Sequence, residues 1–315
     1  MKHKNKLLIL TDDPAAYTAL ISGLEFDDLE FFAFREAENA GPYIEDCEII
    51  LGEPSRIAPV LDAARNVKWV QSTYAGIEAL VTPPKRTDYI LTGVKGIFGP
   101  LMSEYVFAYI LAMERHLFET RENQERRRWQ DMPYRSLTGT LIGICGLGSI
   151  GRHIALTARC FGMKVWGLKR SKEAVPGVDR VFTLSEIAEF LARPDYIVIT
   201  LPQTPETFYL FDEEAFQAMS PSAVLINVGR GTLVSEDALI RALKEKRIRG
   251  AVLDVFEEEP LRKESPLWGL PELFITPHNS AYSFAQDIVN IFAENYRRFV
   301  AGQPLRYAVD FDRGY

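Results

Sequence analysis

Short continuous apolar runs alternate with stretches of helical apolar spacing along the whole chain. Residues 7–10, 29–34, 47–51, 67–71 and 89–92 are the runs of the first third, with helical stretches between them. One such stretch runs from Asp13 to Leu24, with Asp13 as a candidate N-cap before Pro14 at the first helical position. Alternation of this kind predicts a parallel sheet with crossover helices.

A turn-rich passage over residues 92–100 holds Gly93, Gly96, Gly99 and Pro100 and reads as a domain crossing. A long helix is predicted beyond it, from Leu101 to about Glu119. The pattern then runs strand 141–145, helix 149–161, strand 164–168, helix 185–191, strand 196–201, helix 213–219, strand 223–228, helix 236–246 and strands 250–255 and 273–276. Six such strands complete a doubly wound dinucleotide domain. The last helix, 284–300, is long enough to return to the first unit.

Composition adds bounds. The chain has 315 residues, 47% apolar and 25% charged, as in an ordinary globular protein, and its length allows two domains. No segment reaches the roughly 18 to 20 consecutive apolar residues of a membrane span. Behind the basic residues 1–6, the run 7–10 is too short for a secretory signal and reads as a first strand. Cys47, Cys145 and Cys160 make neither a disulfide framework nor a metal-binding spacing, and the cytoplasm is the natural compartment. A net charge of -7 argues against nucleic acid as a partner. Arg121, Arg126, Arg127 and Arg128 are interleaved by Glu122, Asn123, Gln124 and Glu125, so that stretch reads as a solvated helix face or an inter-subunit surface.

The stretch Gly146-Leu147-Gly148-Ser149-Ile150-Gly151 changes the picture most. It follows a predicted strand and opens a predicted helix, the setting in which G-x-G-x-x-G marks a dinucleotide site. The first glycine permits a tight turn, the second lets a pyrophosphate approach the backbone, and the third lets helix and strand pack closely. The phosphates then meet the N–H groups and the positive dipole end of a helix. An NAD site usually carries Asp or Glu about 20 residues further on, at the ribose 2′-OH. Here Lys169-Arg170-Ser171 follows the second strand, and these cations attract a 2′-phosphate that a carboxylate would repel. NADP(H) is therefore preferred over NAD(H).

Arg230 in Asn227-Val228-Gly229-Arg230-Gly231, Glu259 in the acidic run before Pro260, and His278 in Thr276-Pro277-His278-Asn279-Ser280 are candidates for chemistry. Each follows the carboxyl end of a predicted strand, where open α/β sheets bind ligands. A lone arginine or histidine in such a turn is more often structural. Their joint placement at one sheet edge favours a reaction centre.

These motifs resemble the D-isomer-specific 2-hydroxyacid dehydrogenase family. The resemblance is carried by residues 146–151, by Asn227-Val228-Gly229-Arg230-Gly231 with Glu236-Asp237-Ala238-Leu239, by residues 250–261, by Thr276-Pro277-His278 and by Tyr74-Ala75-Gly76-Ile77-Glu78, and so spans nearly the whole chain. Lys169-Arg170-Ser171, Val175-Pro176-Gly177-Val178, Glu264-Ser265-Pro266-Leu267-Trp268 and Asp312-Arg313-Gly314-Tyr315 carry a narrower match to its glyoxylate/hydroxypyruvate reductases. Gly229 stands where the family often has alanine, and Asn279-Ser280-Ala281 stands where small apolar residues or glycines are commoner.

The resemblance implies a role for each residue. Arg230 would hold the substrate carboxylate and polarise its carbonyl, with the backbone N–H groups around Ala75 and Gly76 completing that site. His278 would be the general acid and Glu259 its partner, while Glu257 and Glu258 are expected to be solvated. Asp254 would bind the nicotinamide carboxamide, its alternative being a turn aspartate. Trp268 would line the substrate pocket, its alternative being a core or interface tryptophan. Gly146, Gly148, Ser149, Ile150, Gly151, Lys169, Arg170, Ser171, Leu201, Pro202, Val228 and Gly229 make up the rest of the expected cofactor site. No metal is expected.

The expected fold is α/β, with two Rossmann-like or flavodoxin-like parallel-sheet domains and an active-site cleft between them. Residues 1–99 and 284–315 would form the substrate domain, flavodoxin-like, and residues 100–283 the dinucleotide-binding Rossmann domain. The expected reaction is NADPH-dependent reduction of a small 2-oxo acid, such as glyoxylate or hydroxypyruvate, to the 2-hydroxy acid. The resemblance also implies a homodimer formed through the nucleotide domain. The alternatives are an NAD-dependent dehydrogenase of a bulkier acid and a non-catalytic dinucleotide sensor. A sensor has no need of a general acid, so the set Arg230, Glu259 and His278 argues against it.

Overall fold

The computed structural model describes residues 4–81 and 86–311. The terminal motif at 312–315 lies outside the described residues. The chain divides into two compact units, one of residues 1–97 and 283–315 and one of residues 98–282.

The first unit is built on five parallel strands: β1 (Asn5–Leu10), β2 (Leu29–Phe34), β3 (Ile49–Gly52), β4 (Trp69–Ser72) and β5 (Ile90–Thr92), in the order β2-β1-β3-β4-β5. That is the flavodoxin-like order. Every residue of β3 and β4 is buried, as parallel strands covered on both faces require. The helix Pro14–Ser22 starts where expected, with the Asp13 side chain accepting from Ala16 N. On one face Leu8, Leu10, Ile50 and Val70 pack with Ile44 and Ile57. The helix Ala285–Val300 returns to this unit, where Phe292 stacks on Trp69 at 5.2 Å and buried Asn295 donates to Gln71 Oε1 at 3.2 Å.

The second unit holds seven parallel strands: β6 (Leu141–Cys145), β7 (Lys164–Leu168), β8 (Arg180–Phe182), β9 (Tyr196–Ile199), β10 (Val224–Asn227), β11 (Gly250–Leu253) and β12 (Leu273–Ile275). Their order is β12-β11-β10-β9-β6-β7-β8. Counted from β6, this is the dinucleotide-binding order 3-2-1-4-5-6 with one strand added at the far edge. Six strands were expected, and β8 is the one the pattern misses. It is a three-residue strand that opens on a cation, and it is held by parallel pairing with β7, Trp166 to Leu168.

The long helix expected over 101–119 is in fact two helices, Phe98–Glu114 and Leu117–Glu125. The break falls where contacts distant in sequence take hold. Buried Glu114 is drawn into ion pairs with Arg135 and Arg249, at 3.3 and 2.7 Å. Beyond it no residue of the second helix is buried, and His116 turns the chain with a left-handed φ of 52°. Among the described residues no helix is long and apolar enough to cross a membrane.

The strand order reverses between β6 and β9, and the fingerprint turn sits at that switch point. The helix Ser149–Cys160 rises from it and buries Gly151, Ile154, Ala155 and Ala158, one amphipathic stripe. Gly146 has a φ of +100°, a conformation that favours glycine. A Cβ on Gly151 would overlap the Gly146 carbonyl oxygen, whereas a Cβ on Gly148 would meet nothing within 4 Å. Helix and strand therefore touch through the third glycine, and the second leaves open space. Gly151→Ala is expected to cost about 1–3 kcal/mol in urea denaturation, because helix and strand must part. Gly148→Ala is expected to stay within about 0.5 kcal/mol of the parent. Equal losses at the two sites would contradict this division of roles.

Candidate active site

The turns that follow β6, β7, β9, β10, β11 and β12 carry every expected site residue of the second unit. Gly148 caps the helix Ser149–Cys160 without a side-chain hydrogen bond, so an anion can take the first-turn N–H groups there. Gly146 N donates to Leu168 O at 2.9 Å, which fastens the end of β7 to the fingerprint turn. Lys169 follows directly and pairs with Glu173 at 3.0 Å, with Arg170 and Ser171 exposed beyond it. The loops after β9 and β10 also meet, with Val228 N donating to Ile199 O at 3.2 Å. A Cβ on Gly229 would lie 2.9 Å from both Leu201 O and Leu233 Cδ1. The glycine thus lets the Leu201-Pro202 loop approach more closely than an alanine would. An open glycine turn, an uncapped helix start and a cationic strand end together fit a dinucleotide bearing a 2′-phosphate.

Arg230 stands on a stiff turn. Asn227, wholly buried, donates from Nδ2 to Arg230 O at 2.9 Å and accepts from Gly229 N at 3.1 Å. The guanidinium Nη1 donates to Gly229 O at 2.7 Å. A Cβ on Gly231 would overlap the carbonyl of Phe256. The turn bearing Arg230 therefore lies directly against the loop bearing Glu259.

Asp254 is 0% exposed, and its carboxylate organises the turn after β12. Its Oδ1 accepts from Thr276 Oγ1 at 2.6 Å and from Asn279 N at 2.8 Å, and its Oδ2 accepts from Ser280 N at 3.0 Å. Its own carbonyl accepts from His278 N at 2.9 Å. These contacts are those of a turn aspartate. A carboxylate offers about four lone-pair sites, so one is left for a further donor.

His278 adopts a left-handed φ of 52°, which an L residue pays for with about 1–3 kcal/mol and which the Asp254 contacts hold in place. The ring projects from this turn, half exposed, and its Nδ1 lies 2.7 Å from Glu259 Oε2. Glu259 Oε1 accepts from Phe256 N at 3.0 Å. Burial alone would push the Glu259 carboxyl up. The hydrogen bond from His278, the Phe256 N–H and the charges of His278 and Arg230 outweigh it and hold the carboxyl below its ordinary value. An ionised carboxylate only accepts, so the Nδ1 of His278 carries a hydrogen and Nε2 is the nitrogen that gains and loses a proton. The Glu259 bond, with the charges of Glu259 and Asp254, raises the imidazole above its ordinary value; burial and Arg230 oppose this.

Arg230, Glu259, His278 and Asp254 are thus gathered at one sheet edge. Trp268 is 55% exposed on the short helix Pro266–Gly269, with its indole N–H on Arg262 O at 2.9 Å, so it is no core residue. Ala75 and Gly76 belong to the first unit, just past β4, where Ser72 Oγ donates to Tyr74 O at 2.7 Å and accepts from Tyr74 N at 3.0 Å. Glu257 is exposed, as expected, yet its carboxylate is not without protein partners: it accepts from Glu236 N at 2.9 Å and from Tyr209 Oη at 2.8 Å. Glu258 pairs with Arg262 at the surface. Nothing in an acidic run separates these neighbours; a free helix N-terminus at Glu236 was the available clue. Thr276, which links Asp254 to Tyr105 Oη through a 2.7 Å bond, was also missed, because its partners are distant in sequence.

The chain is similar to known proteins. Residues 107–280 match the family model described as D-isomer specific 2-hydroxyacid dehydrogenase, NAD binding domain. A glyoxylate/hydroxypyruvate reductase A of Escherichia fergusonii is 30% identical over 260 residues, covering 80% of this chain and 83% of that protein. The crystal structure of a D-isomer specific 2-hydroxyacid dehydrogenase family protein from Aeromonas salmonicida is 47% identical, with a TM-score of 0.95 over 98% of this chain and 100% of that one. An NADPH-dependent glyoxylate/hydroxypyruvate reductase from Sinorhizobium meliloti, in complex with NADP and sulfate, is 28% identical with a TM-score of 0.90, over 99% of this chain and 100% of that one.

The His278–Glu259 pair has a pH signature. His278 is raised above 6.5, so its share of stability is full below that pH and is lost as pH rises through the raised value. Glu259 is lowered below 4.5, so its share is kept above that pH and lost as pH falls through the lowered value. In Glu259→Gln the charge is gone while burial and Arg230 remain. Imidazole titration by NMR is therefore expected to place His278 clearly lower than in the parent protein. An unchanged titration would contradict the pairing.

Proposed function

The chain belongs to the D-isomer-specific 2-hydroxyacid dehydrogenase family, oxidoreductases acting on the CH–OH group of 2-hydroxy acids, and we propose that it reduces a small 2-oxo acid of the glyoxylate or hydroxypyruvate class with NADPH. The observation that carries this reading is the His278–Glu259 pair beside the Arg230 turn, on the same sheet edge as the glycine fingerprint. The relatives named as NADPH-dependent or glyoxylate/hydroxypyruvate reductases support the choice of cofactor and substrate class.

When bound, the reduced nicotinamide supplies the hydride. Lys169, Arg170 and Ser171 would hold the 2′-phosphate, and the N–H groups of Ser149, Ile150 and Gly151 would bind the pyrophosphate. The remaining lone pair of Asp254 takes the carboxamide N–H. The planar fork of Arg230 holds the substrate carboxylate and draws electron density toward the carbonyl oxygen. The exposed ring of Trp268 is proposed as a wall on the substrate side. His278 keeps a proton on Nε2 and delivers it to the carbonyl oxygen as the C–H bond forms. Glu259 fixes the ring through Nδ1 and raises its proton affinity, which favours the charged ring that the transfer needs. The products are the 2-hydroxy acid and the oxidised cofactor, and half-exposed His278 recovers its proton from solvent.

We also propose that the protein is a cytoplasmic homodimer joined through the nucleotide unit. Leu117, Phe118, Trp129 and Tyr134 are exposed apolar or aromatic side chains close together in sequence, and clustered exposed apolar groups mark association surfaces. Exposed Cys160 is a free thiol, which suits a reducing compartment.

Oxidation of NADPH and of NADH should be followed with glyoxylate, hydroxypyruvate, pyruvate and phenylpyruvate. Turnover is expected with NADPH and the small acids. Absence of turnover with every 2-oxo acid would end the enzymatic reading, and a clear NADH preference would end the role given to Lys169 and Arg170. Replacing both cations by alanine is expected to weaken NADPH binding far more than NADH binding. In sedimentation velocity Trp129→Glu is expected to shift the protein toward monomer; an unshifted dimer would place the interface elsewhere.

A further inference from the structure

We propose that Glu257 is a positioning residue for the catalytic pair, locking the loop that carries Glu259 to the segment that follows Arg230. The proposal rests on the reading of His278 and Glu259 given above.

The lock is reciprocal. Glu257 N donates to Glu236 Oε1 at 2.9 Å, and Glu236 N donates to Glu257 Oε1 at 2.9 Å. Glu236 is the first residue of the helix Glu236–Lys244, so its N–H is one of the donors a helix start leaves unsatisfied. Ser235 caps a different one, Ala238 N, at 3.4 Å. Glu257 therefore completes the cap from another segment of the chain. Its second oxygen accepts from Tyr209 Oη at 2.8 Å. Tyr209 is itself left-handed, with a φ of 48°, and its N–H donates to Thr232 O at 2.8 Å. One carboxylate thus joins the start of the helix Glu236–Lys244 to the Tyr209 loop, and the Tyr209 backbone ties that loop to the turn after Arg230.

The mechanical link to the reaction centre is short. Glu257 lies two residues before Glu259, and the intervening turn closes when Phe256 N donates to Glu259 Oε1 at 3.0 Å. On the other side, Gly231 lies against Phe256 so closely that no Cβ fits. Shifting the 256–259 loop would move the carboxylate that orients His278 relative to the Arg230 fork. Solvent alone would not hold it there. Glu236, Asp237, Glu257 and Glu258 are like charges in one neighbourhood, and burial and these neighbours push the Glu236 carboxyl up. The Glu257 N–H bond opposes that push without cancelling it.

Glu257→Ala, Glu257→Gln and the surface control Glu258→Ala should be compared by kcat and KM across pH, NADPH binding by fluorescence, and NMR titration of the His278 imidazole. Glu257→Ala is expected to lower kcat by about 10-fold to 100-fold, as a misplacement on the ångström scale does, with NADPH affinity retained and His278 titrating lower. Glu257→Gln is expected to recover most of kcat. Its carbonyl can accept the Glu236 N–H and its amide can donate to the Tyr209 oxygen. Wild-type kcat and wild-type His278 titration in Glu257→Ala would overturn the proposal, and so would a loss that Glu257→Gln fails to rescue. If Glu257→Ala does not fold, the pair Tyr209→Phe with Glu257→Gln removes one arm and is expected to show the same shifts on a smaller scale; no shift there overturns the proposal as well. Failure of the catalytic reading looks different: the parent enzyme would then lack a kcat limb that follows the His278 titration. Failure of the lock alone leaves that limb in the parent and unmoved in Glu257→Ala.

Discussion

The candidate site depends on one buried carboxylate. Asp254 is fully enclosed and takes donors from Thr276, Asn279 and Ser280, all within the turn that carries His278. A buried carboxylate with fewer partners would cost several kcal/mol or give up its charge. The chain satisfies it with the backbone of a turn that would otherwise have no reason to hold a histidine in a left-handed conformation. Once His278 is placed, Glu259 meets Nδ1, the ring gains proton affinity, and Nε2 is left to work. The end of β11 and the end of β12 are joined by this residue, and the chemistry proposed here follows from that joint.

The cofactor side rests on a different constraint, the closeness of backbones. Gly151 lets a helix touch a strand, Gly229 lets two loops approach, and Gly231 presses the Arg230 turn onto the Glu259 loop. Side chains are excluded at these points so that carbonyls and N–H groups can meet. The two constraints share an edge of the sheet, which brings the helix start of the glycine fingerprint and the His278 ring into one unit of the chain.

Much of this was readable from residue order. Strand runs, the fingerprint and the motifs around Arg230, Glu259 and His278 announce themselves because their partners are local or because their residue types are restrictive. What escaped reading depended on distant partners. β8 exists because β7 offers it an edge, and three residues carry no period. The break at His116 follows from Glu114 meeting Arg135 and Arg249, which no local pattern reveals. Glu257 looks like its neighbours until the helix start at Glu236 is seen to need a donor satisfied. Asp254 reads from the sequence as a carboxamide ligand with a turn aspartate as the alternative, and the fold shows the turn contacts directly.

The central claim is that His278 delivers the proton while the rest of the site binds. A single-turnover measurement tests it most directly, with NADPH bound beforehand, a 2-oxo acid mixed in, and loss of the reduced nicotinamide followed in time. His278→Ala is expected to bind NADPH as the parent does and to transfer hydride about 100-fold to 10,000-fold more slowly. Transfer at the parent rate with cofactor affinity intact would contradict it.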